Sequence, residues 1–201
     1  MTKIMTIAKK YKLKVIEDCA QAHFAEWRGK KVGTMGITGT FSFFPGKNLG
    51  AYGDAGCIVT NDKNLAEKMR MFANHGQLVK HNHIIQGINS RLDGMQAAIL
   101  SVKLKYIKKW TAFRIERAEY YESLLKDNNE IKTPKVHQNS KHVFHLYVIR
   151  TEKRDQLQSL LKEKNIASAI HYPTPLPFLD AYKYLGHKKT DFPNNWMLGN
   201  E

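Results

Sequence analysis

The chain has 201 residues, of which 42% are hydrophobic and 25% charged, as in a globular protein of one large or two small domains. Its formal net charge is +14, but the lysines and arginines are scattered and match no common DNA- or RNA-binding motif, which argues against nucleic-acid binding. No apolar run approaches the roughly 18 residues that span a bilayer, so we expect no membrane protein.

The N-terminal region is predicted to start with a helix followed by two strands. Residues 2–11 have helical spacing of apolar side chains, and residues 13–18 (LKVIED) indicate a short buried strand ending in two carboxylates. Residues 39–45 (GTFSFFP) alternate and are rich in aromatics, so we predict a strand that Pro45 stops.

A third strand and a second helix follow. Residues 55–62 (AGCIVTND) are typical of a strand, and Asn61 or Asp62 can cap a helix that runs to about Asn74. This alternation of helix and strands suits an α/β layer architecture.

The C-terminal half begins with a helical pattern over residues 92–126, with a bend expected near Trp110. Strands are predicted over 142–150 and 166–172, separated by an amphipathic helix over 151–164. Several prolines then forbid regular structure. They are Pro173, Pro175 and Pro177.

The domain boundary is predicted within the long helices. Residues 1–110 would form a strand-rich domain, and residues 111–201 a smaller α/β domain.

The N-terminus carries charge throughout and predicts no signal peptide. Cys19 and Cys57 lack metal-ligand spacing, which favours reduced thiols and a cytoplasmic location.

Three side chains in or near predicted strands are candidate functional residues, although each has a simpler structural explanation. Asp18 ends a buried strand, where open α/β sheets tend to place ligands, but a turn or cap residue is the commoner role. Ser42 lies within a strand, where most serines are merely tolerated. Lys47 follows a Pro-Gly turn, and a surface lysine is the default interpretation. Nearby glycines indicate tight bends or close approach, without the pattern of a P-loop. They are Gly46, Gly50, Gly53 and Gly56.

Taken together, four segments resemble the DegT/DnrJ/EryC1/StrS family of pyridoxal-phosphate sugar aminotransferases. They are EDCAQAHFA (17–25), FSFFPGKNLGAYGDAG (41–56), GINSRLDGMQAAIL (87–100) and HYPTPLP (171–177). The resemblance implies the aspartate-aminotransferase fold, fold type I. The chain would then hold an incomplete three-layer α/β large domain that binds the cofactor, plus a smaller α/β C-terminal domain.

The resemblance also implies roles for individual residues toward pyridoxal 5'-phosphate. Lys47 matches the Schiff-base lysine, and Asp18 matches the carboxylate that pairs with the pyridinium nitrogen. Gln21 matches a residue packed over the ring, and Ser42 a hydroxyl that binds the phosphate. Asn89 matches a side chain that reaches the phosphate across the interface of a homodimer.

The implied reaction converts a nucleotide-linked keto-sugar to an amino-sugar, with glutamate as amino donor, for surface polysaccharide or glycoconjugate synthesis. Arg91 would contact the anionic substrate, which the basic surface would also attract. His171 and Tyr172 would line the sugar site, with core packing as the alternative role.

The sequence departs from the family in several places. Phe24 stands where the family usually has glycine, and Pro177 where it usually has histidine. Family members also carry a long N-terminal segment and a further C-terminal one, so we expect the chain to be the middle and C-terminal part of an enzyme.

Two alternatives to an active aminotransferase are an inactive or split-gene fragment that acts only with a partner chain, and a pyridoxal-phosphate sugar dehydratase. The dehydratases typically replace the lysine with histidine, so Lys47 argues against them.

Overall fold

The structure is a computed structural model that describes residues 1–201 and divides them into two units. The first unit comprises Met1–Ala118 and Val136–His145, and the second comprises Glu119–Lys135 and Leu146–Glu201.

Six helices and six strands make up the regular structure. The helices are α1 (Thr2–Lys10), α2 (Lys63–Ala73), α3 (Gly94–Leu104), α4 (Ile107–Leu125), α5 (Arg154–Glu163) and α6 (Pro193–Asn200). The strands are β1 (Ile16–Asp18), β2 (Glu26–Trp27), β3 (Lys30–Lys31), β4 (Thr38–Ser42), β5 (Gly56–Val59) and β6 (Ser140–Lys141). Three short 3-10 turns precede α6. They are Leu176–Phe178, Asp180–Leu185 and Lys189–Asp191.

The main sheet of the first unit has the strand order β1-β4-β5. Strand β1 runs parallel to β4, with Asp18 opposite Thr40, and β5 runs antiparallel to β4, with Gly56 opposite Ser42. The carboxyl ends of β1 and β4 therefore meet at one edge of the sheet. A second sheet, ordered β3-β2-β6, consists of two-residue strands too short for the sequence pattern to show.

A buried carboxylate holds β1 in place. Glu17 is 7% exposed, and its two oxygens accept the backbone N–H groups of three residues in the connection before β4. The donors are Gly33 at 2.9 Å, Met35 at 2.7 Å and Gly36 at 2.6 Å. Backbone donors thus replace the water that the carboxylate loses on burial, so Glu17 has a structural role.

The core of the first unit lies beneath the loop that follows β4. Its buried members come from that loop and from two helices, and partly buried aromatic and small side chains pack against them. The core residues are Leu49, Ala51, Leu100 and Ile107, with Phe24, Phe43 and Ala55 packed around them. Since this loop is buried rather than solvated, its backbone conformation is determined by tertiary contacts.

Most predicted elements of the first unit are present, with shorter bounds. Asp62 caps α2 by accepting the N–H of Leu65 at 3.0 Å, as the sequence predicts. The helical segment predicted to bend near Trp110 instead breaks at Lys105 and Tyr106, between α3 and α4. The break brings the chain to the buried Ile107, which starts α4.

Two predicted strands of the C-terminal half are wrong. Residues 142–150 and 166–172 contain no β-strand; the only ladder contact there is the bridge between Arg150 and Lys132. A strand requires a neighbour with which to exchange hydrogen bonds along its length. An apolar, β-branched run such as residues 142–150 therefore stays extended without becoming a strand.

The second unit is held by contacts at its C-terminal helix. Arg154 donates to the carbonyl oxygen of Gly199 at 2.8 Å, and the carboxylate of Glu201 lies 3.5 Å from both Lys132 and Arg150. Both ion pairs are partly shielded from water on the carboxylate side, since the Glu201 side chain is 12% exposed.

The structure exposes much apolar surface. Several large apolar side chains on and just after α1 and on β1 are exposed. They are Ile4 (52% exposed), Ile7 (53%), Tyr11 (61%), Leu13 (59%) and Ile16 (67%). No helix is both long enough and apolar enough to cross a membrane.

We therefore expect the purified 201-residue chain to self-associate, because water-exposed apolar patches of this extent favour burial against another surface. Light scattering across a dilution series should give a mass above that of one chain and dependent on concentration. Replacing Ile4 and Ile7 by glutamine should shift the distribution toward the monomer. A monodisperse monomer at all concentrations would contradict this expectation.

Candidate active site

Asp18 and Ser42 share one edge and one face of the main sheet. Asp18 ends β1 opposite Thr40, and Ser42 lies two residues beyond Thr40 at the end of β4. Side chains two residues apart on a strand point to the same face, and paired residues of parallel strands do so as well. The carboxylate and the hydroxyl therefore project from the same side of the sheet at its carboxyl edge.

The turn after β1 presents Asp18 and Gln21 to solvent. Asp18 Oδ1 accepts the N–H of Ala20 at 3.0 Å, which holds one carboxylate oxygen against the backbone. A second turn bond joins the N–H of Ala22 to the carbonyl oxygen of Cys19 at 3.0 Å. Gln21 lies inside this turn, is exposed and makes no side-chain hydrogen bond within the chain.

Lys47 lies in the turn after β4, five residues beyond Ser42. Its N–H donates to the carbonyl oxygen of Phe44 at 2.8 Å, and the N–H of Phe44 donates to Ser42 Oγ at 3.3 Å. The lysine is half-buried and forms no ion pair with any carboxylate. Its amine is therefore available for contact with a molecule bound at the strand ends.

The loop that carries Lys47 is tightly closed. The N–H of Ala51 donates to the carbonyl oxygen of Phe43 at 2.7 Å, which joins the two ends of the loop. A Cβ atom at Gly50 would lie 2.3 Å from the carbonyl oxygen of Pro45. Only glycine allows this approach, so the glycine that stands out in the sequence is required by a backbone contact.

Burial raises the pKa of the two cysteine thiols of this region and so lowers their reactivity. Cys19 is 1% exposed, and burial, with the charges of Glu17 and Asp18, raises its pKa to about 11. It is a neutral thiol near pH 7 and hence a packing residue rather than a nucleophile. Cys57 is also a free thiol, and burial raises its pKa.

Sequence reasoning did not single out His23, which is 3% exposed. Its ring lies 5.5 Å from that of Phe41 and 5.8 Å from that of Phe43, and neither ring nitrogen has a hydrogen-bond partner of normal geometry. Burial lowers the pKa of His23; a contact with the Ser42 backbone opposes this shift, and the charges of His145 and Lys47 add to it. The ring is therefore neutral at pH 7. The sequence shows no signal for this environment, because the neighbours of His23 are brought to it by the fold.

Phe24 adopts a left-handed backbone conformation, with φ at 64°. This conformation favours glycine, which is the residue that the family resemblance leads one to expect at this position. The ring also packs against the core cluster of the first unit. Packing therefore keeps a phenylalanine in a conformation that its side chain disfavours.

We expect Phe24→Gly to destabilise the first unit by about 2 kcal/mol, because the lost apolar contact outweighs the relief of backbone strain. Urea unfolding would measure the change. Arg28→Gly is the matched control, since Arg28 also has a positive φ, at 49°, but is exposed. It should leave stability nearly unchanged or raise it. A Phe24→Gly variant more stable than the original chain would show that strain dominates.

Asn89 and Arg91 form a separate cluster. Arg91 Nε donates to Asn89 Oδ1 at 3.1 Å and Nη1 lies 3.5 Å from Asn74 Oδ1, while Asn74 and Asn89 also pair as a backbone bridge. Both residues are exposed and make no hydrogen bond to Asp18 or Lys47. Within one chain, Asn89 and Arg91 therefore form no hydrogen bond to the strand-end residues, by which we mean Asp18, Ser42 and Lys47.

His171 and Tyr172 lie in the second unit. Their rings are 5.2 Å apart, both are exposed, and both line a cavity of about 490 Å³. The rest of the lining is largely apolar. It consists of Thr174, Pro175, Leu176, Leu179, Asn195, Leu198 and Gly199. Pro177, the other departure from the family pattern, is not part of it.

The model of the DegT/DnrJ/EryC1/StrS aminotransferase family matches residues 1–201. The chain belongs to this family. Members of the DegT/DnrJ/EryC1/StrS family depend on pyridoxal phosphate, and the predicted family and fold class are both confirmed.

The similarity to individual proteins is high but partial in length. The "Pleiotropic regulatory protein" of Geobacillus stearothermophilus is 49% identical over 96% of this chain and 52% of its own length. The "dTDP-3-amino-3,6-dideoxy-alpha-D-galactopyranose transaminase" of Aneurinibacillus thermoaerophilus is 51% identical over 87% of this chain and 48% of its own length. The chain thus spans about half the length of the curated relatives it matches.

Among solved structures, that of S. venezuelae DesV "in complex with ketimine intermediate" superposes with a TM-score of 0.95 at 38% identity. The match covers 100% of this chain and 54% of that one. The arrangement of helices and strands described above is therefore that of a family aminotransferase.

The chemistry of the strand-end residues fits the family's cofactor. Pyridoxal phosphate offers a basic ring nitrogen, a phosphate and an aldehyde. The structure has a solvent-facing carboxylate at Asp18, a hydroxyl at Ser42 and an amine without an ion pair at Lys47. Asp18 and Ser42 at the sheet edge, and Lys47 on the loop that follows β4, thus offer chemistry complementary to these three groups.

Proposed function

We propose that this chain carries the cofactor-binding residues of a pyridoxal-phosphate aminotransferase that converts a nucleotide-linked keto-sugar to an amino-sugar. The observation that supports this most strongly is Lys47, a half-buried amine without an ion pair, placed beyond the ends of the strands that hold Asp18 and Ser42. Membership in the aminotransferase family supplies the reaction class.

The proposed roles follow from charge and position. Asp18 would hold the ring nitrogen in its protonated form, because an adjacent carboxylate favours the cation. Ser42 would donate its hydroxyl to the phosphate, and Gln21 would pack over the ring. When bound, the cofactor supplies a carbonyl carbon that exchanges amines and a ring that accepts an electron pair.

Lys47 would first bind the cofactor and then move a proton. The Lys47 amine would serve as the nucleophile that attaches the cofactor, since no carboxylate of the chain holds it in an ion pair. Lys47 Nζ would also act as the general base that holds and moves the proton of the amino-bearing substrate carbon.

The substrates are inferred from chemistry and from relatives. The Aneurinibacillus relative is named as a transaminase of a dTDP-linked sugar. We propose an anionic nucleotide-linked keto-sugar, drawn by the basic surface and contacted by Arg91, with His171 and Tyr172 lining the sugar site. Glutamate would be the amino donor, and the product would serve surface polysaccharide or glycoconjugate synthesis.

The assembly is also part of the proposal. Asn89 makes no hydrogen bond to the strand-end residues of its own chain, so it would reach the cofactor phosphate of a second subunit in a homodimer. In the whole protein, residues 1–110 would belong to the cofactor-binding large domain and residues 111–201 to the small domain. We place the enzyme in the cytoplasm, where its nucleotide-linked substrates would be made.

The proposal is tested by the absorbance spectrum of the protein with added pyridoxal phosphate, before and after borohydride. We expect a visible band that borohydride removes, followed by amination of dTDP- or UDP-linked 3-keto-sugars with glutamate in a coupled assay. If the band does not form at saturating cofactor, the proposed function is wrong for this chain. A band without amination would leave a cofactor-binding protein that is not an aminotransferase.

A further inference from the structure

The residue after Lys47 is held by a part of the chain far away in sequence. Asn48 is 7% exposed, and its side-chain amide is bonded at both ends. Nδ2 donates to the carbonyl oxygen of Val143 at 3.1 Å, and Oδ1 lies 3.0 Å from Nδ1 of His145. Segment 143–145 therefore directly contacts residues 43–51, the loop that carries Lys47, which we call the lysine loop.

The direction of both hydrogen bonds can be assigned. A carbonyl oxygen only accepts, so the Val143 contact requires the NH₂ group of Asn48 and leaves Oδ1 facing His145. Because Oδ1 also only accepts, His145 Nδ1 must carry the proton. The imidazole can donate this bond whether it is neutral or protonated, so the contact does not depend on its charge.

Segment 143–145 is itself fixed. The guanidinium of Arg114, on α4, donates to the carbonyl oxygens of Phe144 at 3.2 Å and His145 at 3.1 Å. Val143 is 2% exposed. Three successive carbonyl groups are thus bonded to side chains of Asn48 and Arg114, which makes the segment a firm support for the lysine loop.

Lys47 lacks such a support of its own. Its side chain forms no ion pair, so its position depends on the backbone that carries it. That backbone is closed at its ends by the Lys47–Phe44 and Ala51–Phe43 bonds. Asn48 joins it to segment 143–145 next to Lys47, and Lys103 Nζ donates to the Gly50 carbonyl oxygen at 2.5 Å at its far end.

We propose that Asn48, held by His145 and the Val143 carbonyl, is a positioning residue that sets where the Lys47 amine lies. The inference rests on the proposed function in one respect, that Lys47 is the reacting lysine. The inference goes beyond the proposed function because it gives a role to Val143 and His145, which are 95 and 97 positions from Asn48 in the sequence. Reaction rates respond steeply to such placement, with a shift of about 1 Å costing roughly a hundredfold.

The first test measures the reactivity of Lys47 without cofactor. The 201-residue chain is treated with a pulse of acetic anhydride, and acetylation of Lys47 relative to exposed Lys12 is read by mass spectrometry. Asn48→Leu and His145→Leu should raise this ratio about threefold or more, since a released loop exposes the half-buried amine. His145→Asn, whose amide nitrogen can replace Nδ1 as donor, should return the ratio to the original value.

The matched control is Thr60→Val, which also removes two side-chain hydrogen bonds in the same unit. The Thr60 hydroxyl donates to the Ile37 carbonyl oxygen at 2.7 Å and accepts the N–H of Asp62 at 3.1 Å. This variant should lower the thermal midpoint as the Asn48 variant does, without changing Lys47 acetylation. An unchanged ratio in both leucine variants, or an equal rise in Thr60→Val, would overturn the inference and leave Asn48 a purely structural residue.

The second test adds pyridoxal phosphate and borohydride. The initial rate of label incorporation at Lys47 should fall about tenfold in His145→Leu and recover in His145→Asn. If the original chain takes no label, the proposed function fails, while the acetylation ratios still decide whether Asn48 positions Lys47.

Discussion

Replacing Lys47 by alanine is expected to abolish both transamination and borohydride-dependent labelling of the protein by pyridoxal phosphate. Lys47 is the only lysine between Phe43 and Ala51, and it is half-buried beyond the strand ends without an ion pair. Without this amine the cofactor has no covalent attachment, and no base of matching position remains to move the proton. Loss of general acid–base catalysis alone would cost about 10²–10⁴-fold in rate.

The measurement is peptide mapping after reduction, combined with the coupled amination assay. Lys68→Ala is the control, because Lys68 is an exposed lysine of α2 in the same unit that forms no ion pair. It should keep label and activity. Label on a lysine other than Lys47 in the original chain would remove Lys47 from its assigned role.

Replacing Asp18 by asparagine should reduce turnover by orders of magnitude while cofactor binding is largely kept. The proposed phosphate contact of Ser42 does not involve the carboxylate. A neighbouring carboxylate shifts a pKa by about 1–3 units, and each unit corresponds to about 1.4 kcal/mol. Loss of that support would leave the ring nitrogen unprotonated near pH 7, with a rate loss of roughly 10- to 1000-fold from this effect alone.

Steady-state rates and a fluorescence titration of the cofactor would separate the two effects. Asp54→Asn serves as the control, since Asp54 is an exposed carboxylate on the loop before β5 that forms no ion pair. Near-normal turnover in Asp18→Asn would show that Asp18 is a turn residue, bonded to the Ala20 N–H and nothing more.

Much of the strand-end site could be predicted from the sequence because its members lie close together along the chain. Asp18, Ser42 and Lys47 come within 30 residues of one another, in or beside two predicted strands, and the family resemblance singles them out. Parallel pairing of β1 with β4 then places the first two at one edge. Their roles toward the cofactor stay predictions. The start of α2 was equally predictable, since the Asp62 cap is a local interaction.

The tertiary structure decided what depends on distant partners. A run rich in β-branched residues, 142–150, forms no strand because only Arg150 finds a ladder partner. Phe24 keeps a left-handed backbone because its ring packs against core residues 25 or more positions away. Asn48 is anchored by residues nearly a hundred positions away, and no local pattern can show such a contact. Periodicity and caps are read from neighbours in sequence, whereas the anchor of the lysine loop arises only when the folded chain brings two remote segments into hydrogen-bond distance.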